Sequence, residues 1–222
     1  MRVSKPRQKV RKGAPAGRGQ RRAYHHGDLR RALVDEALRL AAEGGIEAVN
    51  IREAARRAGV SPGAPFRHFA DRGALLAAVA AEAQRRFRAE IEIALREAPE
   101  DDPLAQFRAI GLAYLRWAMR NPTYFEVISD GRVFSHEESG ALSDDNKEIM
   151  ALVDRALSEA VNEGQLSPEN VDKVRIAGRA LVYGFARMAI DGHFARWGVD
   201  ADRAEATAVA MLDFFIARVR TP

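Results

Sequence analysis

The segment from Asn50 to Phe69, NIREAARRAGVSPGAPFRHF, constrains the fold of this chain more than any other. Asparagine is a favoured helix N-cap, and small apolar residues recur at helical spacing over residues 51–58. Gly59 follows, and glycine readily takes the left-handed conformation that ends a helix. Ser61 then offers a second N-cap, with Pro62 at the first helical position, where its missing N–H costs nothing. The segment therefore predicts two short helices joined by a tight turn.

The second of these helices has the composition of a helix that reads DNA. It carries Arg67 and His68 beside Phe66 and Phe69, and the second helix of a helix-turn-helix lies in the major groove. A pair of amphipathic helices without a DNA partner is the alternative. Residues 1–76 hold 17 Lys and Arg against 7 Asp and Glu, about +10, whereas the other 146 residues hold 18 against 24. Such a concentration of positive charge is typical of a phosphate-binding surface and favours DNA.

Residues 28–79 resemble the TetR family of bacterial transcriptional regulators. Besides the helix-turn-helix, they contain FADRGALLAAV at 69–79, which is similar to the opening of the family's fourth helix. The resemblance implies that a basic residue near the start of that helix, here Arg72, contacts a phosphate. The SPGAPFRHF variant, with Pro65 inside the reading helix, is most similar to the subgroup whose C-terminal part is called the WHG domain.

Two parts of the N-terminal region are predicted to contact DNA. Residues 1–23 contain nine Lys and Arg and no acid, so they cannot bury enough apolar surface to fold alone. We predict a disordered basic arm, which is either a solvated tail or a segment that lies along phosphates or in the minor groove. The second part is the motif itself, whose predicted DNA-binding residues are Asn50, Ile51, Arg52, Ser61, Pro62, Gly63, Ala64, Pro65, Phe66, Arg67, His68 and Arg72.

Apolar spacing along the chain predicts an all-α protein. A three-helix helix-turn-helix domain (24–76) is expected to join, through a long helix, a C-terminal helical domain for ligand binding and dimerisation (77–222). Residues 130–143 are polar and are predicted to form a loop. The longer helices are predicted at 28–43, 72–97, 104–120, 144–163, 168–195 and 200–220, with short ones at 51–58 and 123–129.

The last two long helices carry apolar faces that suit a dimer interface. A single helix-turn-helix reads only a few base pairs, and two-fold pairing doubles the site. The TetR resemblance implies the same, with these two helices forming a four-helix bundle across the dimer axis. Intramolecular core is the alternative. The predicted interface residues are Leu181, Gly184, Phe185, Met188, Ala208, Met211, Leu212 and Phe215.

The middle helices are predicted to enclose a ligand pocket, chiefly because the TetR resemblance implies a small-molecule sensor. Aromatic and Met side chains at helical spacing are more often plain core, so that alternative stays open. An inward-facing arginine would favour an anionic or hydrogen-bonding ligand. The predicted lining residues are Phe107, Tyr114, Trp117, Phe125, Met150, Arg179 and Tyr183.

Composition excludes several classes of function. The chain has no cysteine, which excludes disulfides, thiolate catalysis and cysteine–zinc sites. No apolar run reaches the roughly 18 residues that span a bilayer, so we expect a cytoplasmic protein. We predict no catalytic residue, metal site or cofactor. The expected function is a repressor that binds an operator as a dimer and is released by a small molecule. A helical protein-interaction module is the alternative, and an enzyme is the least favoured reading.

Overall fold

The computed structural model describes residues 26–129 and 140–221, and every regular element among them is helical. The all-α prediction is confirmed. The predicted arm, residues 1–23, lies outside the described residues. The α-helices are α1 (His26–Gly44), α2 (Ile51–Arg57), α3 (Arg72–Glu97), α4 (Pro103–Arg120), α5 (Pro122–Ser129), α6 (Gly140–Asn162), α7 (Val171–Ile190) and α8 (Ala204–Val219). Short 3₁₀ helices lie at Ile46–Ala48, Pro65–Arg67, Pro168–Asn170, His193–Trp197 and Ala201–Arg203.

Two predicted boundaries are wrong. Helix α6 begins at Gly140, so the last part of the predicted loop is helical. Its residues 140–143, GALS, include alanine and leucine, which are good helix formers, whereas the polar residues that suggested a loop lie before them, outside the described residues. Helix α7 ends at Ile190 and not near Ala195. The reason is Gly192, whose φ of 68° is the left-handed conformation that terminates helices.

The described residues form two hydrophobic cores that meet along α3. The N-terminal core is made by α1, α2 and the first turns of α3, up to Ala80. The C-terminal core begins with Ala83 on the same helix and is completed by residues of α4 to α8. A single long helix therefore belongs to both halves, as the sequence predicts. None of the helices within 26–129 and 140–221 is both long and apolar enough to cross a membrane.

Helix α5 joins the two cores as well. Val127 is fully buried in the N-terminal core. Phe125, two residues earlier, is fully buried in the C-terminal core. Ile128 packs against both. Like α3, this short helix therefore contributes side chains to both hydrophobic cores.

Candidate DNA-binding surface and ligand cavity

The first helix of the helix-turn-helix begins and ends as the sequence predicts. Asn50 is its N-cap, and its Oδ1 accepts hydrogen bonds from the backbone N–H groups of Arg52 at 2.9 Å and Glu53 at 3.3 Å. Gly59 takes a φ of 70° and redirects the chain after α2. Because the Asn50 oxygen is used in capping, only its amide nitrogen remains to contact DNA.

The second helix of the motif is a single 3₁₀ turn, Pro65–Arg67. The predicted start at Pro62, capped by Ser61, is wrong. Pro65 has no N–H, so it cannot donate to the carbonyl of Ser61 as an α-helix would require. Instead the backbone N–H of Ala64 donates to that carbonyl at 3.0 Å, which closes a turn. The stretch Ser61–Gly63 is exposed on this turn.

Burial separates the predicted DNA-binding residues into two groups. Ile51 and Pro65 are buried in the N-terminal domain, so their prediction as DNA contacts is wrong. Their apolar side chains hold the motif against its own core. Ala64, His68 and Arg72 are half-buried. The exposed members are Asn50, Arg52, Ser61, Pro62, Gly63, Phe66 and Arg67.

The arginines around α2 differ in whether their charge is already paired. Arg56 forms hydrogen bonds to Glu53 at 2.6 and 2.8 Å. Arg57 forms two bonds of 2.7 Å to Glu43 of α1 and one of 3.0 Å to Glu53. These hydrogen bonds from Arg56 and Arg57 lower the pKa of Glu53 to about 2, so the cluster stays ionised at neutral pH.

Two arginines of the motif are left for another partner. Arg52 and Arg67 are exposed, and within residues 26–129 and 140–221 neither has an acidic group within 4.0 Å. Arg52 lies in the first turn of α2, and Arg67 ends the 3₁₀ turn. The uncompensated positive charge of the motif is therefore carried by these two side chains.

Arg72, the predicted phosphate contact, is already engaged inside the domain. Its Nε donates to the carbonyl of Val49 at 2.9 Å, and its Nη2 donates to the carbonyl of Ile46 at 2.6 Å. Nη2 also lies 3.2 Å from a carboxylate oxygen of Glu47. The guanidinium thus fastens the start of α3 to the connection between α1 and α2, and only Nη1 is left to reach DNA.

A cavity of about 510 Å³ lies in the C-terminal half, between helices α3 to α8. Five of the seven predicted lining residues reach it: Phe107, Tyr114, Met150, Arg179 and Tyr183. Trp117 and Phe125 do not, and their prediction is wrong. Trp117 packs against Phe87 with ring centroids 5.0 Å apart, and Phe125 is fully buried in the C-terminal core.

Sequence reasoning missed the polar residues on the cavity wall. Gln84 of α3 is 7% exposed and lines the cavity, and its side chain has no hydrogen-bond partner in the described part of the chain. The sequence contains a sign of this polar wall, because Gln84 interrupts the apolar residues Ala80, Phe87 and Ile91 on the buried face of α3. Arg175 of α7 was also missed.

The two arginines on the cavity wall have different electrostatic surroundings. Arg175 lies 2.9 Å from Asp154 and 3.2 Å from Asp172. Arg179, one turn along α7, has no carboxylate within 4.0 Å among the described residues. Its guanidinium carbon lies over the rings of Tyr114, at 4.6 Å, and Tyr183, at 5.6 Å.

The hydroxyl of Tyr114 is buried without a hydrogen-bond partner in the described residues. Burial raises the pKa of this phenol, and the nearby positive charge of Arg179 opposes the rise. Tyr114 is therefore a neutral hydroxyl at physiological pH, and the Arg179 guanidinium is its polar neighbour.

The residues predicted for the dimer interface differ in their exposure. Ala208 and Leu212 are 1% and 3% exposed in the C-terminal core, so placing them at an interface is wrong. Met211 is exposed, and a side chain at Gly184 would meet nothing within 4 Å. Leu181, Phe185, Met188 and Phe215 are half-buried. The prediction omitted two exposed apolar residues, Ile176 of α7 and Phe214 of α8, which are 70% and 56% exposed.

Two family models match this chain. The model for bacterial regulatory proteins of the tetR family matches residues 33–79, which contain the helix-turn-helix. The model for the tetracyclin repressor-like C-terminal domain matches residues 107–214, which contain most of the cavity wall. The chain belongs to the TetR family of transcriptional regulators. The predicted family is confirmed, as is the prediction that the chain is not an enzyme, because this is a family of regulators. The WHG subgroup stays a prediction.

Individual relatives agree with the family. The HTH-type transcriptional repressor KstR of Rhodococcus jostii (strain RHA1) is 27% identical over 150 residues, which is 67% of each chain. A solved structure of a protein with unknown function from Rhodococcus sp. RHA1 has a TM-score of 0.77 and 28% identity, over 90% of this chain and 100% of that one. AibR, solved with isovaleryl coenzyme A and operator DNA, shares the fold with a TM-score of 0.64 at 16% identity, over 82% of this chain and 97% of that one.

Proposed function

We propose that this TetR-family regulator binds operator DNA as a homodimer, and that a small molecule in the cavity releases the DNA, which makes the protein a repressor. The observation that carries the proposal is that one helix, α3, packs in the core of the motif that carries the unpaired Arg52 and Arg67 and also lines a cavity of about 510 Å³. The curated relative KstR is named a repressor, and AibR was solved with both a ligand and operator DNA.

The DNA-binding surface that we propose consists of the exposed residues of the motif. The turn Ser61–Gly63 and the adjacent Phe66 offer small and apolar contacts, and thymine methyl groups accept such contacts in the major groove. Arg52 and Arg67 supply charge without first breaking an ion pair. The nine cations of residues 1–23 add to non-specific attraction.

A homodimer is proposed from the exposed apolar side chains of α7 and α8. Ile176, Met211 and Phe214 lie on these two adjacent helices, and the open space at Gly184 permits a close helix approach. A two-fold interface uses the same patch on both partners, so a self-complementary apolar face is sufficient. It also sets the spacing between two DNA-reading motifs.

Coupling between the cavity and DNA is proposed to run through α3 and α5. Ile128 and Ser129 line the cavity, while the neighbouring Val127 is buried in the N-terminal core. Gln84 and Phe87 place α3 on the same wall. A ligand that displaces either helix changes how the proposed DNA-binding domain (24–76) sits on the C-terminal domain (77–222). DNA must then weaken ligand binding by the same factor.

The experiment that tests DNA binding is a salt series with a matched pair of arginine variants. The probe is an inverted repeat from the promoter region of the gene itself or its neighbours. Replacing Arg67 by Gln should lower the slope of log affinity against log salt by about two for a dimer, since each phosphate contact contributes about 0.9.

Arg56→Gln is the control, because Arg56 is exposed and equally charged but already pairs with Glu53. It should shift the slope less than Arg67→Gln does. An Arg67 variant with the wild-type slope and affinity would remove this residue from the proposed surface. Absence of any salt-dependent binding to the inverted repeat would reject the operator proposal itself.

A further inference from the structure

The cavity contains more unused polar capacity than a cavity for a purely apolar ligand would. Burying a hydroxyl or amide without a hydrogen bond is costly, and most buried polar groups have partners. Here the Tyr114 hydroxyl and the Gln84 side chain are both more than nine-tenths buried on the wall of one cavity, and neither has a partner among the described residues. Two such groups facing one space indicate that something else supplies their hydrogen bonds.

A positive charge faces the same space. Arg179 lines the cavity and lacks a carboxylate partner, whereas Arg175, one turn away, is balanced by Asp154 and Asp172. Arg179 is exposed, so it lies at the open side of the cavity, where its guanidinium stacks over the rings of Tyr114 and Tyr183 without being neutralised. A guanidinium fixed in this way is suited to bind a carboxylate, sulfonate or phosphate through paired N–H groups.

Most of the remaining wall is apolar, although Ser129 and Asn146 also line it. Apolar side chains from all six helices α3 to α8 contribute, and they include Phe87, Phe107, Ile128, Ile149, Val182 and Leu212. Such a surface matches a hydrocarbon or aromatic body, and the cavity volume lies in the range that holds drug-sized molecules.

We propose that the ligand of this cavity is an organic anion with an apolar body: its anionic group binds Arg179, and its other polar atoms bond with Tyr114 and Gln84. The inference rests on the proposed function, since it names the class of molecule that the sensor detects. A neutral hydrocarbon would leave the Tyr114 hydroxyl and the Gln84 side chain without partners, and an organic cation would face the uncompensated charge of Arg179, so both should bind more weakly than the anion.

A matched pair of fluorescent probes tests the proposal. 8-Anilinonaphthalene-1-sulfonate is an aromatic anion, and N-phenyl-1-naphthylamine has the same body without the sulfonate. Both brighten in apolar surroundings, so each can be titrated into the full-length protein. The wild type should bind the sulfonate more tightly. Arg179→Gln should weaken sulfonate binding about tenfold or more, the effect of losing a charged hydrogen bond, and leave binding of the amine unchanged.

Two further variants distinguish a site from general charge. Arg187→Gln removes a cation from the same helix, but one that is paired with Asp191 and is not on the cavity wall; sulfonate affinity should not change. Arg179→Lys keeps the charge and should recover part of the affinity. Equal affinity for both probes, an unchanged sulfonate affinity in Arg179→Gln, or no saturable binding of either probe would each overturn the proposal.

Failure of the proposed function gives a different result. DNA binding by the probe-free protein does not depend on this cavity, so the operator salt series judges it separately. If the protein binds the operator and both probes bind equally well, the proposed regulatory function is supported and the proposed anion selectivity is rejected. If the sulfonate binds through Arg179 but the protein does not bind the operator, the anion site is supported and the proposed regulatory function is rejected.

Discussion

Replacing Arg72 by Ala separates two roles that a basic residue at this position can have. The TetR resemblance implies a phosphate contact, whereas the structure shows the guanidinium bound to the carbonyls of Val49 and Ile46. A cation at the first position of α3 is unfavourable to the helix dipole. The helix itself thus gives no reason for an arginine at position 72, whereas the hydrogen bonds of Arg72 to the two carbonyls do.

The size of the effect follows from these contacts. A hydrogen bond from a charged donor contributes about 1.5–3 kcal/mol, and we reduce each of the two carbonyl bonds to about 1 kcal/mol because the Arg72 side chain is 41% exposed. The pair with Glu47, which is 85% exposed, adds little. The total is about 2 kcal/mol, which corresponds to a fall in Tm of roughly 4–8 °C for a chain of this length.

The assay combines thermal unfolding with the operator salt series. We expect Arg72→Ala to lower the Tm and to weaken operator binding through a poorly held motif, while the salt slope per protomer stays at the wild-type value. Arg72→Lys should lose a similar amount of stability, because one ammonium group cannot replace the two-nitrogen contact. A variant with an unchanged Tm and a slope reduced by about one per protomer would refute this reasoning and restore the phosphate role.

Three further predictions concern the C-terminal half. Gln84→Leu should raise the Tm of the ligand-free protein by removing an unpartnered buried amide; a Tm lowered by several degrees would show that Gln84 has a partner in solution. Asp102 caps α4 and binds Arg220 through both carboxylate oxygens at 2.8 Å; burial works against its charged form, but the Arg220 bonds prevail and lower the pKa of Asp102 below 3.8. The stabilisation is therefore present above pH 3.8 and is lost as the pH falls through the lowered pKa. The substitution Asp102→Asn keeps the cap and should make the protein less stable than the wild type at neutral pH. In unfolding curves measured at successively lower pH, this difference in stability should shrink. Phe214→Glu should sediment as a monomer, whereas the control Ile93→Glu, at an exposed apolar residue of α3, should remain a dimer. If the Phe214 variant is still a dimer, the interface does not include Phe214.

Local rules were sufficient for the parts of the motif that depend on a few neighbouring residues. The Asn50 cap and the Gly59 turn form as predicted because each is decided by one side chain and its own backbone. The second helix does not start at Pro62 for an equally local reason, because Pro65 lacks the N–H that such a helix would need to donate to the Ser61 carbonyl. The role of Arg72 required the fold, because its acceptors lie 23 and 26 residues earlier in the chain.

Helical spacing does not distinguish a cavity wall from solid core. Tyr114 and Trp117 are one turn apart on α4 and both are buried. Tyr114 borders the cavity, whereas Trp117 packs against Phe87. The same apolar face serves both purposes, and only the shape of the neighbouring helices decides between them. A buried polar residue such as Gln84 is the better sequence signal for a cavity, because a filled apolar core gives it no partner.

Helix α5 shows why the coupling mechanism could be anticipated only in part. The sequence predicts a short helix there, and a short helix between two longer ones has no evident role. In the fold, three of its last five residues have separate neighbours: Phe125 the C-terminal core, Val127 the N-terminal core, and Ile128 the cavity. Cores are close-packed and transmit small displacements instead of absorbing them. In the proposed coupling, a ligand that contacts Ile128 therefore acts on a residue whose neighbour, Val127, is buried in the N-terminal core, which makes α5 a second route beside α3.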